Sequence, residues 1–246
     1  MILTKEYAPQ YREADNDGLI GMKGYLNYFQ DMAGLFIHQI GKGNDVLRKD
    51  YHTFWMYTKY KMHMEKKADF KQCLHMETCV KKTKHSAVLN QELLITREGE
   101  TYAHGELESC FFNLDQERLV RPSFVDFPAG IEEEKDIEQR PFYKFPKNVQ
   151  NMEYCYSYVV RYTDLDGNHH MTNLHYINLL LDSCDSQFYE EHQLTDLEIH
   201  FVNQSYEKER LKVYKREEED KIFVEVRSEE EQLIVQGIMI TKRKEM

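Results

Sequence analysis

The chain carries one pattern twice, 151 residues apart. At that offset Tyr7 meets Tyr158, Tyr11 meets Tyr162, Asp15 meets Asp166 and Tyr25 meets Tyr176. Leu26 then meets Ile177, Asn27 meets Asn178, Phe29 meets Leu180 and Asp31 meets Asp182, with no gap needed over 25 positions. Chance rarely keeps aromatic, acidic and amide positions in step, so the pattern indicates a duplicated unit. Whatever architecture one half adopts, the other must be able to adopt it too.

The second copy shows the unit most clearly. A β-branched pair, Val159-Val160, leads into a turn holding Asp164, Asp166, Gly167, Asn168, His169 and His170. Met171, Leu174, Ile177, Leu180 or Leu181, and Cys184 follow at steps of three and four, the spacing of one helical face. Thr172 or Asn173 is placed to cap that helix. Carboxylate, amide and imidazole therefore gather where a strand hands over to a helix N-terminus, whose dipole and N–H donors suit a developing oxyanion. The backbone N–H groups of Met171 and Thr172 are the expected donors.

The first copy predicts a helix over 24–40, and its residues are greasy on most sides. Such a helix must be surrounded by protein. Strand patterns follow at 54–65, 72–82, 87–96 and 102–114, and again after the second helix at 197–206, 211–215, 222–227 and 232–241. Several alternate with period two, as in Ile222-Val224-Val226 against Phe223-Glu225-Arg227. Each half is thus an α+β unit, a curved antiparallel sheet wrapped around a central apolar helix. Residues 122–147 differ, with four of the five prolines and an acidic run, Glu132 to Asp136, that suggests a linker with a short surface helix. The expected organisation is an N-terminal domain over 1–128, a linker over 129–148 and a C-terminal domain over 149–246.

The turn does not fit a metal site. Counted from Asp164, a calcium loop needs glycine sixth and glutamate twelfth, but Gly167 is fourth and His175 twelfth. His170 and His175 are five apart rather than four, and no CxxC supports zinc. A plain capping turn is the competing reading. Against it, the copies differ where chemistry would sit: Asp17 stands over Asn168 and Leu19 over His170. One copy keeps Asp, Asn and His together; the other replaces the imidazole with hydrocarbon. That favours one catalytic and one binding half.

These residues resemble a known family. Asp-Leu-Asp-Gly-Asn-His-His-Met-Thr-Asn-Leu-His-Tyr-Ile, from Asp164 to Ile177, is similar to the Asp-Leu-Asp-x-Asn-x-His-x-Asn-Asn-x-x-Tyr-Ile signature of acyl-ACP thioesterases. Residues 26–33, the Phe54-Trp55 pair and the Arg-Leu-Val-Arg-Pro stretch ending at Pro122 resemble further family features in the right order. The resemblance implies a tandem double hotdog fold and hydrolysis of fatty acyl thioesters of acyl carrier protein in fatty acid biosynthesis, with no cofactor. It implies catalytic roles for Asp166, Asn168 and His170. Plant members carry Glu-Cys on the next strand, and that register falls here on Gln204-Ser205, so Gln204 can position water but not act as a base. Thr172 stands where the family usually has Asn. An acyl-CoA thioesterase, another hotdog enzyme such as a hydratase, and a non-catalytic acyl-binding protein remain the alternatives.

The net charge of −11 argues against nucleic acid as a partner. The charge is uneven, however, with eight lysines between residues 59 and 84. Lys59, Lys61, Lys81 and Lys82 are candidate docking contacts for an acidic carrier, and Lys208, Arg210, Lys212, Lys215 and Arg216 form a second basic cluster. Met22, Tyr28, Met32 and Trp55 are candidate acyl-binding residues of the first half. Five cysteines without CxxC, no secretory start and no membrane-spanning run point to the cytoplasm. A tandem protein needs no second copy, so monomer and homodimer are both compatible.

Overall fold

The computed structural model describes residues 1–81, 87–133, 140–146 and 151–244. They form two compact units, Met1–Arg140 and Pro141–Met246.

The first unit opens with β1 (Ile2–Tyr7), β2 (Leu19–Ile20) and the helices α1 (Met22–Gln39) and α2 (Asn44–Tyr51). It continues with β3 (Thr53–Met64), β4 (Ala68–Asp69), β5 (Leu74–Lys81), β6 (Leu89–Arg97), β7 (Glu100–Asn113), β8 (Arg118–Val120) and β9 (Glu132–Glu133). Its antiparallel sheet runs β1-β5-β6-β7-β3, with β8 beside β7 and β9 parallel to β5. The second unit comprises β10 (Glu153–Val159), α3 (Asn173–Leu181), α4 (Ser186–Glu191), β11 (His192–Phe201), β12 (Arg210–Glu218), β13 (Lys221–Ser228) and β14 (Leu233–Arg243). Its sheet runs β11-β14-β13-β12-β10. Each unit is a hotdog: a long sheet against one apolar helix, in the α+β class.

The apolar helix is enclosed as its composition requires. Tyr25, Leu26, Tyr28, Phe29, Met32, Ala33 and Phe36 of α1 are fully buried. One close contact recurs in both units. A Cβ on Gly105 of β7 would stand 3.3 Å from Phe29 and 2.7 Å from the Lys61 carbonyl oxygen. A Cβ on Gly237 of β14 would stand 2.1 Å from Leu180, the repeat counterpart of Phe29. Each glycine lets the helix approach the sheet at the same point of the repeat.

The period-two reading of β13 is half right. Ile222, Val224 and Val226 face the core, but Phe223 and Glu225 are buried too. The segment 141–146 covers them: the Tyr143 ring lies 5.7 Å from Phe223, and the Tyr143 N–H donates to the fully buried Glu198 at 2.6 Å. The expected surface helix does not form over Glu132–Glu133, which pair with Val80 and Lys81 as β9; residues 134–139 lie outside the described residues. The strand expected over 197–206 begins five residues earlier and stops at Phe201.

Candidate active site

The two copies of the turn share one backbone. In the first, Asp15 N–H donates to the Leu19 carbonyl at 2.8 Å and Gly18 N–H to the Asp15 carbonyl at 2.9 Å. In the second, Asp166 N–H donates to the His170 carbonyl at 2.8 Å and His169 N–H to the Asp166 carbonyl at 3.0 Å. Gly18 and its counterpart His169 both take left-handed backbone, with φ of 78° and 64°. That costs glycine little and histidine more.

A carboxylate braces each turn. Asp164, 3% exposed, accepts the Tyr158 hydroxyl and the Arg161 N–H, both at 2.7 Å. Its counterpart Glu13 accepts the Tyr7 and Tyr28 hydroxyls at 2.9 Å each. Burial, then the hydrogen bond to Asp164, pushes the Tyr158 phenol up to about 12. The sequence named Asp164 only as one of the polar groups of the turn and did not name Glu13. The repeat offset equates them, and that is the signal that would have found them. His175 approaches Asp164 at 3.5 Å, in keeping with a structural role.

Above this brace the copies part. The Asp166 carboxylate accepts the Asn168 N–H at 2.7 Å and both the Asn168 side-chain amide and the His170 N–H at 3.2 Å. It thus holds the turn through amides. The His170 ring packs edge-on against Tyr206, at 5.0 Å and 86°. In the first copy the Lys67 amine bridges Asp15 and Asp17 at 2.8 Å each. Ladder register relates that lysine to a residue of the second copy. Ile20 pairs with Ala68, while its counterpart Met171 donates its N–H to the Ser205 carbonyl at 2.9 Å. Ala68 thus corresponds to Ser205, and Lys67 to Gln204, which is exposed.

The oxyanion expectation needs correction. The Met171 N–H is bonded to Ser205, and the Thr172 N–H donates to the Asp164 carbonyl at 2.8 Å. Neither is left to receive an oxyanion. Thr172 is the N-cap residue of α3, but its side chain makes no capping bond. Ser205, where plant members would carry Cys, is fully buried. Its hydroxyl and that of Tyr176 are enclosed without a well-formed hydrogen bond. Burial pushes the Tyr176 phenol up to about 12, offset in part by the nearby Ser205.

The remaining candidates divide. Met22, Tyr28, Met32 and Trp55 are all buried in the first unit. The Tyr28 hydroxyl is held by Glu13, and the Trp55 indole N–H donates to the Lys42 carbonyl at 3.1 Å. The Trp55 ring lies 4.3 Å from that of Phe111, tilted by 44°, and 6.1 Å from that of Phe127. Phe127 lines an open cleft of about 740 Å³ with Val80, Leu89, Val125 and Ile131.

Three of the four candidate docking lysines of the first basic cluster are engaged in ion pairs. Lys61 is 3% exposed and paired with Glu106 at 2.9 Å, so a partner protein cannot reach it. Lys59 pairs with Glu108, and Lys81 with Glu92 and Glu106. Cross-strand glutamates neutralise these lysines one rung at a time. Lys82 lies outside the described residues. The only constellation of metal-ligating side chains among the described residues is His63, Glu65 and His104, away from this turn in sequence.

Two family models cover most of the chain: the acyl-ACP thioesterase N-terminal domain matches residues 2–124, and the C-terminal domain residues 147–243. No curated protein sequence matches. Among solved structures, an acyl-ACP thioesterase from Bacteroides thetaiotaomicron aligns with a TM-score of 0.85 at 19% identity, covering 98% of each chain. A putative oleoyl thioesterase from Lactobacillus plantarum aligns at 0.83 and 16%, covering 100% of this chain and 98% of that one. The 12:0-ACP thioesterase from Umbellularia californica aligns at 0.80 and 14%, covering 99% and 98%. At these identities the likeness establishes the shared fold.

Proposed function

Because the chain belongs to the acyl-ACP thioesterase family, we propose that the Asp166–His170 turn is where it hydrolyses its thioester. The enzyme is a thioester hydrolase that releases fatty acid from acyl-ACP. One observation carries the site assignment. The same turn is closed by a lysine across two carboxylates in the first unit, and presents amide and imidazole groups in the second.

In this reading water attacks the thioester carbonyl and His170 takes its proton as general base. Asn168 donates to the carbonyl oxygen; its amide nitrogen has two hydrogens and can serve Asp166 and the substrate together. Asp166 acts as a positioning residue through its three amide contacts. Gln204 replaces the Lys67 cation with a neutral group that orients water. Collapse of the tetrahedral intermediate expels the carrier thiolate, which the His170 imidazolium protonates, leaving free fatty acid and carrier thiol.

The acyl chain is assigned to the first unit, with its tail against the Trp55, Phe111 and Phe127 rings and Met22 and Met32 as adaptable lining. Tyr28 supports this region through Glu13. Carrier docking is assigned to exposed Arg161 and Lys208. The Lys208 N–H donates to the Val160 carbonyl, which puts that loop beside Arg161 at the edge of the catalytic turn. Five cysteines, none of them in a disulfide, support a reducing, cytoplasmic setting; no helix among the described residues is long and apolar enough to cross a membrane.

The test is thiol release from acyl-ACP and acyl-CoA substrates of graded chain length. His170→Ala should lower kcat/KM for acyl-ACP by about 10²–10⁴-fold, the usual contribution of general-base catalysis. Release unchanged in His170→Ala and Asp166→Ala would remove the site assignment. Release from CoA alone would keep the site and change the partner.

A further inference from the structure

We propose that His63, Glu65 and His104 form a binding site for a divalent transition cation such as Zn²⁺, linking β3 to β7 in the first unit. His63 and His104 are direct partners in the antiparallel ladder, and Glu65 lies two residues beyond His63 on the same face. One ligand atom from each residue lies within 4.8 Å of the others. A tetrahedral site with bonds of about 2.1 Å needs ligand atoms about 3.4 Å apart, so modest side-chain rotation closes the set. The His63 and Glu65 side chains are 30% and 54% exposed, and His63 Nε2 already stands 3.3 Å from the Glu65 carboxylate.

The neighbouring rungs make this pair distinctive. Along the same face Lys59 lies opposite Glu108 and Lys61 opposite Glu106, each an ion pair. At the next rung the pattern changes to histidine opposite histidine, with ring centroids 5.2 Å apart. Two imidazolium groups so placed would repel. Two neutral imidazoles and a carboxylate instead make a borderline-soft N₂O ligand set, suited to Zn²⁺ or Cu²⁺ rather than Mg²⁺ or Ca²⁺. Three protein ligands leave a fourth position to solvent. The link would fasten β3 just before Lys67, the residue that closes the Asp15–Asp17 turn.

The experiment is a calorimetric Zn²⁺ titration of the metal-free full-length chain, with Co²⁺ visible absorption reporting coordination and thermal melting reporting the link. The expected result is one equivalent bound, a melting temperature raised by zinc, and an affinity weakened by about tenfold or more in His63→Gln and in His104→Gln. Glu65→Gln alters an exposed side chain and should weaken binding without changing the metal-free melt, so it remains decisive if His104→Gln fails to fold. Absence of stoichiometric binding would overturn the proposal. So would an affinity that His63→Gln and Glu65→Gln leave unchanged, since the zinc would then sit elsewhere.

Discussion

Asn168 and Gln204 differ from Asp17 and Lys67 by small changes in size and decisive ones in charge. In the first unit two carboxylates and one amine close on each other at 2.8 Å, leaving little to offer a substrate. In the second, an amide faces Asp166 and the lysine position holds a neutral glutamine. Converting the second turn to the chemistry of the first should therefore shut the enzyme down without unfolding it. The double variant Asn168→Asp/Gln204→Lys is expected to lose about 10²-fold or more in kcat/KM while melting no lower than the parent. Activity within a few-fold of the parent would mean that the closed and open turns are functionally equivalent. Asp17 and Asn168 were legible because the repeat places them in register, whereas Lys67 and Gln204 fall outside that register and are matched only by ladder pairing in the structure. The spent N–H groups of Met171 and Thr172 were not legible: their acceptors, Ser205 and Asp164, are set by a loop returning from β11 and by the 3-10 turn before the site. Spacing along the helix carries no information about either.

Among the elements, the long helix and the sheet strands were readable because a greasy helix and period-two runs each follow from a single burial geometry. The short helices α2 and α4 were missed. α2 buries only Leu47 and α4 buries no residue, so neither offers the run of apolar positions by which the long helix was read. The outer face of the first sheet was misread for a related reason. Lys61, Glu92 and Glu106 look like solvated strand residues, yet each is at most 4% exposed. Lys61 also donates its amine to the Arg140 carbonyl. What covers a sheet face is a non-local fact. This distinction is measurable. Lys61→Ala should destabilise the protein by about 3–5 kcal/mol, the usual cost of leaving a buried charge without its partner, as read from urea unfolding. A docking lysine would behave oppositely, raising KM for acyl-ACP at unchanged stability. That outcome would restore the patch inferred from sequence.

At the scale of the whole molecule, tyrosine is the residue both units use to join an apolar helix to a polar turn, and this makes the protein sensitive to alkali. Tyr7 and Tyr28 donate to Glu13, Tyr158 donates to Asp164, and Tyr25 donates to the Lys66 carbonyl at 3.0 Å. Burial pushes the phenols of Tyr7, Tyr158 and Tyr176 up to about 12, and those of Tyr25, Tyr28 and Tyr156 higher still. The buried Cys110 thiol rises for the same reason, to about 11. The sign follows from proton counting. Above the ordinary thiol value of 9.0 and phenol value of 10.0, the unfolded chain releases protons that the folded chain retains, so rising pH favours unfolding. For Tyr176 alone, a rise from 10.0 to about 12 corresponds to about 3 kcal/mol. The stability contributed by Cys110, Tyr7, Tyr158 and Tyr176 should be complete below pH 9, decline through pH 10 and be lost as pH rises through about 12, whereas that of Tyr25, Tyr28 and Tyr156 persists to still higher pH. Urea midpoints across that range should fall steadily. Tyrosinate absorbance for these rings should rise together with unfolding, not ahead of it. Ionisation of Tyr7, Tyr28 and Tyr158 near pH 10 in a chain that remains folded would show that the helix-to-turn junctions are open to water, and the bracing assigned to Glu13 and Asp164 would have to be withdrawn with them.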